Sequence, residues 1–192
     1  IKVPSSWQME GFGQPVYTNI KHPFPFPSPP FPPKNNNPVG SYKRYFNLPD
    51  NWKNGRTIIH FEGVKSAFFL WINGQKVGYS QGSMTPAEFD ITDYLRSGKN
   101  SVSAQVFRWS DASYIEDQDF WRLSGIYRDV YLVNLPEAHI QHYKVGAKLK
   151  NKFKDGSLSL VAHLDNYSNK RKKLTLNIKI IDKKSKDILL DK

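Results

Sequence analysis

The sequence has no cysteine, which removes disulfides and thiolate metal sites from consideration. That absence does not choose between cytoplasm and periplasm, because a large apolar core needs no covalent staple. No apolar run approaches the ~18 residues of a membrane-spanning helix, and no membrane partner is expected. A Gly-rich phosphate loop, a Ser-His-Asp arrangement and an amphipathic basic helix are all missing. Histidine is scarce: His22, His60, His139, His142 and His163 are the full set. Only His139 and His142 have ligand-like spacing. On a regular strand residues i and i+3 face opposite sides, which predicts a poor metal pair. The opening Ile1-Lys2-Val3-Pro4 shows neither an initiator Met nor a signal-type apolar stretch and reads as a piece cut from something longer.

Large apolar side chains, by contrast, are plentiful. The 192 residues include 12 Phe, 10 Tyr and 5 Trp, enough to build a core at roughly 25 cal/mol per Å² buried. The net charge of +11 invites a nucleic-acid reading, but its distribution argues otherwise. Residues 1–136 hold 14 Lys and Arg against 11 Asp and Glu, whereas residues 137–192 hold 14 against 6. The surplus is mostly Lys among strands and turns, including Lys170-Arg171-Lys172-Lys173 and Lys183-Lys184, the pattern of solvated turns and sheet faces. No nucleic-acid partner is expected.

Two compositional regimes meet near Pro136, which predicts domains at 1–136 and 137–192 joined at Val133-Asn134-Leu135-Pro136-Glu137. In the first, Tyr42 to Leu48, Thr57 to Phe61, Ser101 to Trp109 and Ile126 to Val133 carry the β-branched and aromatic residues of strands. Ser66 to Ile72 is an almost unbroken apolar run, as for a strand covered on both faces. It leads through Asn73-Gly74, a type I′ turn signal, into Gln75 to Tyr79, which predicts a hairpin. A minor helical turn is expected either at Thr92, ending at Gly98, or from Thr85 with Glu88 completing a capping box. Eight prolines in residues 22–38 exclude a central strand. They suggest a semi-rigid loop whose Phe24, Phe26 and Phe31 pack in place, with an autonomous docking peptide as the sharper alternative. In the second regime, His139 to Leu149, Leu158 to Asn166, Lys172 to Ile181 and Ile188 to Leu190 read as strands. Leu174, Leu176, Ile178 and Ile180 alternate with polar residues. An immunoglobulin-like sandwich needs about seven strands in ~100 residues, so this region reads as a truncated one.

The densest polar cluster runs from Arg108 to Arg122 and holds Asp111, Glu116, Asp117, Asp119, two Arg and two Trp. Oxygen-rich loops bind hard cations, although the spacing here is not that of an EF-hand. Paired carboxylates hydrolyse glycosides when set roughly 5–9.5 Å apart, and aromatic rings offer faces to sugar C–H groups. Equally, Arg108, Arg122 and Arg128 could pair with the acids and only hold the loop in shape. Trp109 and Trp121 are the tryptophans expected to line a surface.

Several motifs in register resemble the sugar-binding domain of β-galactosidases of glycoside hydrolase family 2. They are Val3-Pro4-Ser5-Ser6-Trp7-Gln8-Met9, Pro15-Val16-Tyr17-Thr18-Asn19, Gly63-Val64-Lys65-Ser66-Ala67-Phe68, Trp71-Ile72-Asn73-Gly74 and Val77-Gly78-Tyr79. Arg108-Trp109-Ser110-Asp111, Glu116-Asp117-Gln118-Asp119 and Trp121 to Val130 complete the set. The resemblance covers about residues 1–135 and is weak beyond. It implies an all-β chain: a jelly-roll-like sandwich followed by a truncated immunoglobulin-like sandwich, with a TIM barrel that carries both catalytic glutamates lying elsewhere. No catalytic residue is then expected here, and the fragment alone should be inactive. The resemblance further implies that Asp111 binds the galactosyl unit and shares a sodium ion with barrel residues. Position 65, usually asparagine in the family, contacts substrate there; Lys65 puts that contact in doubt. Sodium and magnesium are the cofactors implied for the parent enzyme, with neither held tightly by this fragment. The partners implied are a galactoside substrate and the chain's own barrel, with room for a homo-oligomer. A free-standing carbohydrate-binding module and a basic nucleic-acid binder are the competing readings.

Overall fold

The computed structural model describes residues 1–19, 21–24, 27–52, 55–116, 119–168 and 170–191. The chain divides into two compact units, Ile1–Pro136 and Glu137–Lys192. In the first, the strands run in the order β1 (Val16–Tyr17), β2 (Val39–Asn47), β3 (Arg56–Phe61), β4 (Val64–Lys65), β5 (Ala67–Ile72) and β6 (Gln75–Gln81). They continue with β7 (Ala87–Asp90), β8 (Lys99–Phe107), β9 (Trp121–Arg122), β10 (Gly125–Ile126) and β11 (Val130–Leu135). One antiparallel sheet is ordered β2-β8-β5-β6 and another β11-β3-β7, while β1 pairs with β9 and β4 with β10.

The period-2 burial of Arg56–Phe61 points Ile59 and Phe61 at the other sheet. There they join Phe68, Leu70 and Ile72 of β5 and Ala104 and Val106 of β8 in one buried cluster. The Phe61 and Phe68 rings meet at 4.7 Å. Two sheets sharing one core in this way form a β-sandwich, and the all-β, jelly-roll-like expectation holds.

The run from Ser66 to Ile72 is covered differently on its two faces. Phe68, Leu70 and Ile72 are buried, whereas Phe69 and Trp71 are half-buried. On that outer face Phe69 packs against Trp71, Tyr79 and Phe107 of the same sheet. Aromatic neighbours, with the Lys76 ammonium 4.1 Å over Phe69, cover it. The Asn73-Gly74 hairpin forms with φ of 51° and 83°, as a type I′ turn requires. Asn73 does more than turn the chain. Its amide donates to the Tyr94 carbonyl and to Asn100 Oδ1 at 2.9 and 2.8 Å, and its oxygen accepts from the Ser101 amide at 2.9 Å.

Several expectations need correction. The helical turn is a single 3-10 turn, Thr92–Tyr94, and Thr92 lies inside it instead of capping it. The Thr92 hydroxyl accepts from the Thr57 amide and donates to Asp90. No helix starts at Thr85; Ala87–Asp90 is a strand, and Glu88 reaches His60 Nδ1 at 2.8 Å. Ile126 to Val133 is not one strand, because the chain leaves the ladder between Ile126 and Val130. There the Tyr127 ring lies so close over Gly63 that a Cβ would come within 2.8 Å of it. In the proline-rich segment Phe24 is buried against Trp109 and Tyr114, but Phe31 is 67% exposed. Phe26 lies outside the described residues.

The second unit holds two antiparallel hairpins: β12 (Ala138–Lys150) with β13 (Asp155–Asn166), and β14 (Lys179–Ile181) with β15 (Ile188–Asp191). The expected strand from Lys172 is shorter than its pattern, since only Lys179–Ile181 forms a ladder. Alternation needs a sheet face to bury its apolar half, and Leu174 and Leu176 remain exposed. His139 and His142 also depart from strand parity. A register irregularity between Ile140 and His142 pairs His139 with Asp165 and His142 with His163. The odd residue turns both histidines to one face. Even so, among the described residues no three His, Cys, Asp or Glu side chains are placed to hold a metal.

Candidate functional site

The polar loop begins where β8 ends. Arg108 is buried, and its guanidinium donates to the Gln14 and Arg122 carbonyls at 2.9 and 3.4 Å while lying 4.9 Å from the Trp109 ring. Trp109, expected at a surface, is only 7% exposed. The reason lies 72 residues away in sequence. The Asn37 side chain brackets Trp109, accepting from its amide and donating to its carbonyl, both at 2.9 Å. Phe24 then closes over the indole at 5.4 Å.

Next comes a short 3-10 turn, Asp111–Tyr114, locked by Ser113. Its amide donates to the Ser110 carbonyl and its hydroxyl accepts from the Ser110 amide, each at 3.0 Å. Asp111 opens this turn on the protein surface. One carboxylate oxygen accepts from the Ala112 amide at 2.9 Å and the other from Gln81 Nε2 at 3.5 Å. An ionised carboxylate has about four acceptor sites, so lone pairs stay available to a ligand.

Among the other described acids of the loop, Glu116 is committed and Asp119 has one partner. Glu116 takes the Ser83 amide at 2.7 Å and the Ser83 hydroxyl at 2.5 Å, and Ser83 is wholly buried. The Tyr127 hydroxyl donates to the Ser83 carbonyl from the other side. Asp119 accepts from the Tyr17 hydroxyl; Tyr17 packs at 5.6 Å against Trp121, which is 54% exposed as expected of a surface tryptophan. Asp117 lies outside the described residues. The arginines grip main chain: Arg122 reaches the Glu116 and Thr18 carbonyls, and Arg128 those of Glu62 and Met84.

Lys65 sits on β4, only 8% exposed, with its ammonium 4.0 Å from the Phe120 ring centroid. That ammonium has no hydrogen-bond partner among the described residues. Burial, then the nearby Arg122 charge, lower its pKa from 10.5 to about 8, with Glu116 opposing the shift. Asp111 and Lys65 therefore differ in kind: one is an exposed acceptor on a rigid turn, the other a concealed cation. Asn37, Gln81 and Ser83, which shape the site, belong to no motif that would single them out.

A β-sandwich whose loop offers an exposed carboxylate and an exposed indole carries the equipment of a carbohydrate-facing module, acceptors for hydroxyls and a flat face for C–H groups. Residues 1–136 match the family described as "Glycosyl hydrolases family 2, sugar binding domain", and the chain belongs to that family. It is 48% identical over 193 residues to a β-galactosidase of Priestia megaterium, covering 98% of this chain and 19% of the relative. It is 44% identical over 190 residues to a β-galactosidase of Oenococcus oeni, covering 96% and 18%. The chain thus spans about a fifth of the length of these relatives. Among solved structures, a β-glycosidase from Bacteroides vulgatus is similar with a TM-score of 0.65 at 27% identity, over 88% of this chain and 21% of the other. A β-glucuronidase from an uncultured Clostridium sp. is similar with a TM-score of 0.65 at 25% identity, over 80% and 28%.

Proposed function

We propose that this chain is the sugar-binding part of a β-galactosidase, an enzyme that hydrolyses terminal β-D-galactosides. It scaffolds a TIM barrel and lends that barrel Asp111, while the catalytic carboxylates lie outside it. The observation that carries this reading is the state of the acids in the polar loop. Glycoside hydrolysis needs two carboxylates across a sugar, yet Glu116 is spent on a buried serine and Asp119 on a tyrosine. Asp119, though exposed, hangs on the single Tyr17 hydroxyl. Asp111 stands exposed with both oxygens aimed, one by the Ala112 amide and one by Gln81, and with acceptor sites to spare. One such group orients a sugar; it does not cleave one. On this reading the 192 residues alone are inactive.

An oxygen donor of this kind suits a hard cation, and Asp111 would give one carboxylate ligand to a sodium ion that the barrel completes. Bound there, the ion supplies positive charge that fixes sugar hydroxyls. Magnesium, if the parent uses it, is assigned to no residue here. Lys65 contributes a donor: its ammonium gains a hydrogen-bond partner when a substrate oxygen arrives and Phe120 gives way. The second unit supplies the first strands of an immunoglobulin-like sandwich, whose exposed Tyr143, Val145, Leu158 and Leu160 further strands would cover. A free-standing carbohydrate-binding module is less favoured, because nearly all of this chain matches about a fifth of each β-galactosidase relative above.

The test is Asp111→Asn in the full-length enzyme. Loss of a charged ligand to substrate and ion lowers kcat/KM by about 100-fold, from roughly 3 kcal/mol. Stability of the exposed position shifts by less than about 0.5 kcal/mol. Parallel loss of activity and stability would return Asp111 to a purely structural role.

A further inference from the structure

We infer that Tyr79 and Gln81 are positioning residues for Asp111, forming a donor chain that aims its carboxylate at the bound sugar. This rests on the reading of Asp111 as a substrate ligand. Both residues lie on β6 two positions apart, and so on the same outer face of the sheet. The Tyr79 ring is held by Phe69 at 4.9 Å, its cross-strand partner on β5. Phe69 in turn meets Phe107 at 5.9 Å. From that fixed ring the hydroxyl donates to Gln81 Oε1 at 2.7 Å, and Gln81 Nε2 donates to Asp111 Oδ2 at 3.5 Å.

The direction of this chain is dictated by chemistry. A carboxylate only accepts, so the glutamine must show it the NH₂ group, which leaves the amide oxygen facing Tyr79. A tyrosine O–H donating to that oxygen fixes the amide against flipping. Were it to flip, oxygen would face oxygen. Burial first, and then the charge of Asp111, raise the Tyr79 pKa, so the hydroxyl keeps the proton it donates. The opposite carboxylate oxygen is already held by the Ala112 amide at 2.9 Å. One short main-chain bond and one long side-chain bond thus define the plane of the carboxylate. The long one is the adjustable member, of the sort that tightens only when a ligand is bound.

The experiment uses the full-length enzyme with Gln81→Leu, Tyr79→Phe and Asp111→Asn, singly and combined. It measures calorimetric affinity for a thio-linked, uncleaved galactoside, together with KM, kcat and thermal unfolding. Gln81→Leu weakens galactoside binding about fivefold and Tyr79→Phe about twofold, the scale of one neutral hydrogen bond and of its support. Unfolding temperatures stay unchanged, and neither variant causes further loss in the Asp111→Asn background. If Asp111→Asn weakens binding and Gln81→Leu does not, the positioning role is wrong and the reading of Asp111 stands. An equal loss from Gln81→Leu with and without Asp111 also overturns it. If Asp111→Asn itself binds like the wild type, the reading of Asp111 falls and the inference with it.

Discussion

Replacing Lys65 by methionine removes a charge from a buried position while keeping a flexible side chain of similar length. In the folded protein the Lys65 pKa is lowered from 10.5 to about 8 by burial and by Arg122. At neutral pH the ammonium therefore costs roughly 3 kcal/mol relative to the unfolded chain. Its position over Phe120, 4.0 Å from the ring centroid, returns about 1–2 kcal/mol through cation–π attraction. Lys65→Met should accordingly stabilise the first unit by about 1–2 kcal/mol at pH 7, with a methionine–aromatic contact replacing the ammonium. The sign with pH follows from the depressed folded-state pKa. The full penalty is present below pH 8, and between about 8 and 10.5 the unfolded chain holds more protons, so wild-type stability rises with pH. The advantage of the variant should shrink across that window and be nearly gone at pH 10. Urea unfolding followed by tryptophan fluorescence suits the measurement, because all five tryptophans fall within residues 1–136. A variant less stable than the wild type at pH 7, or equally favoured at pH 7 and 10, would refute the reasoning. In the full-length enzyme the same change should weaken galactoside binding, since a cation retained at such a cost is expected to repay it on ligand contact.

Asn73→Ala removes three hydrogen bonds and places alanine at φ 51°, and should cost roughly 3 kcal/mol in denaturant unfolding. Asn73→Gly, which keeps the turn, should cost less. Glu116→Ala strands the amide and hydroxyl of buried Ser83 and should cost about 2–4 kcal/mol, measured by thermal unfolding. Among the described residues the outer edges of β12 and β13 carry no ladder partner, which invites strand pairing between chains. The protein should therefore show concentration-dependent association in sedimentation velocity, and a strict monomer with an ordered second unit would contradict this.

What the sequence made legible was local. The Asn73-Gly74 turn and the strands at Ser66 to Ile72 and Thr57 to Phe61 are written in neighbouring residues. Asp111 came into view through its motif. What stayed hidden depends on distant partners. Trp109 looked like a surface aromatic because nothing near it announces Asn37 or Phe24. The Glu116–Ser83 clamp joins two loops that no spacing relates. The parity of His139 and His142 failed through one irregular residue, and the alternation at Leu174 to Ile180 through want of a sheet face, neither of which a periodic pattern encodes. Lys65 was readable as a departure from its motif, but its burial against Phe120 exists only in three dimensions.

The central claim is that this chain presents a carboxylate to an active site whose reacting groups lie elsewhere. Incubating the purified 192-residue chain with a chromogenic β-galactoside, sodium present, tests it most directly. The expected result is release of chromophore no faster than in buffer. Turnover at rates typical of enzymes, on the order of 1 s⁻¹ or above, would contradict it.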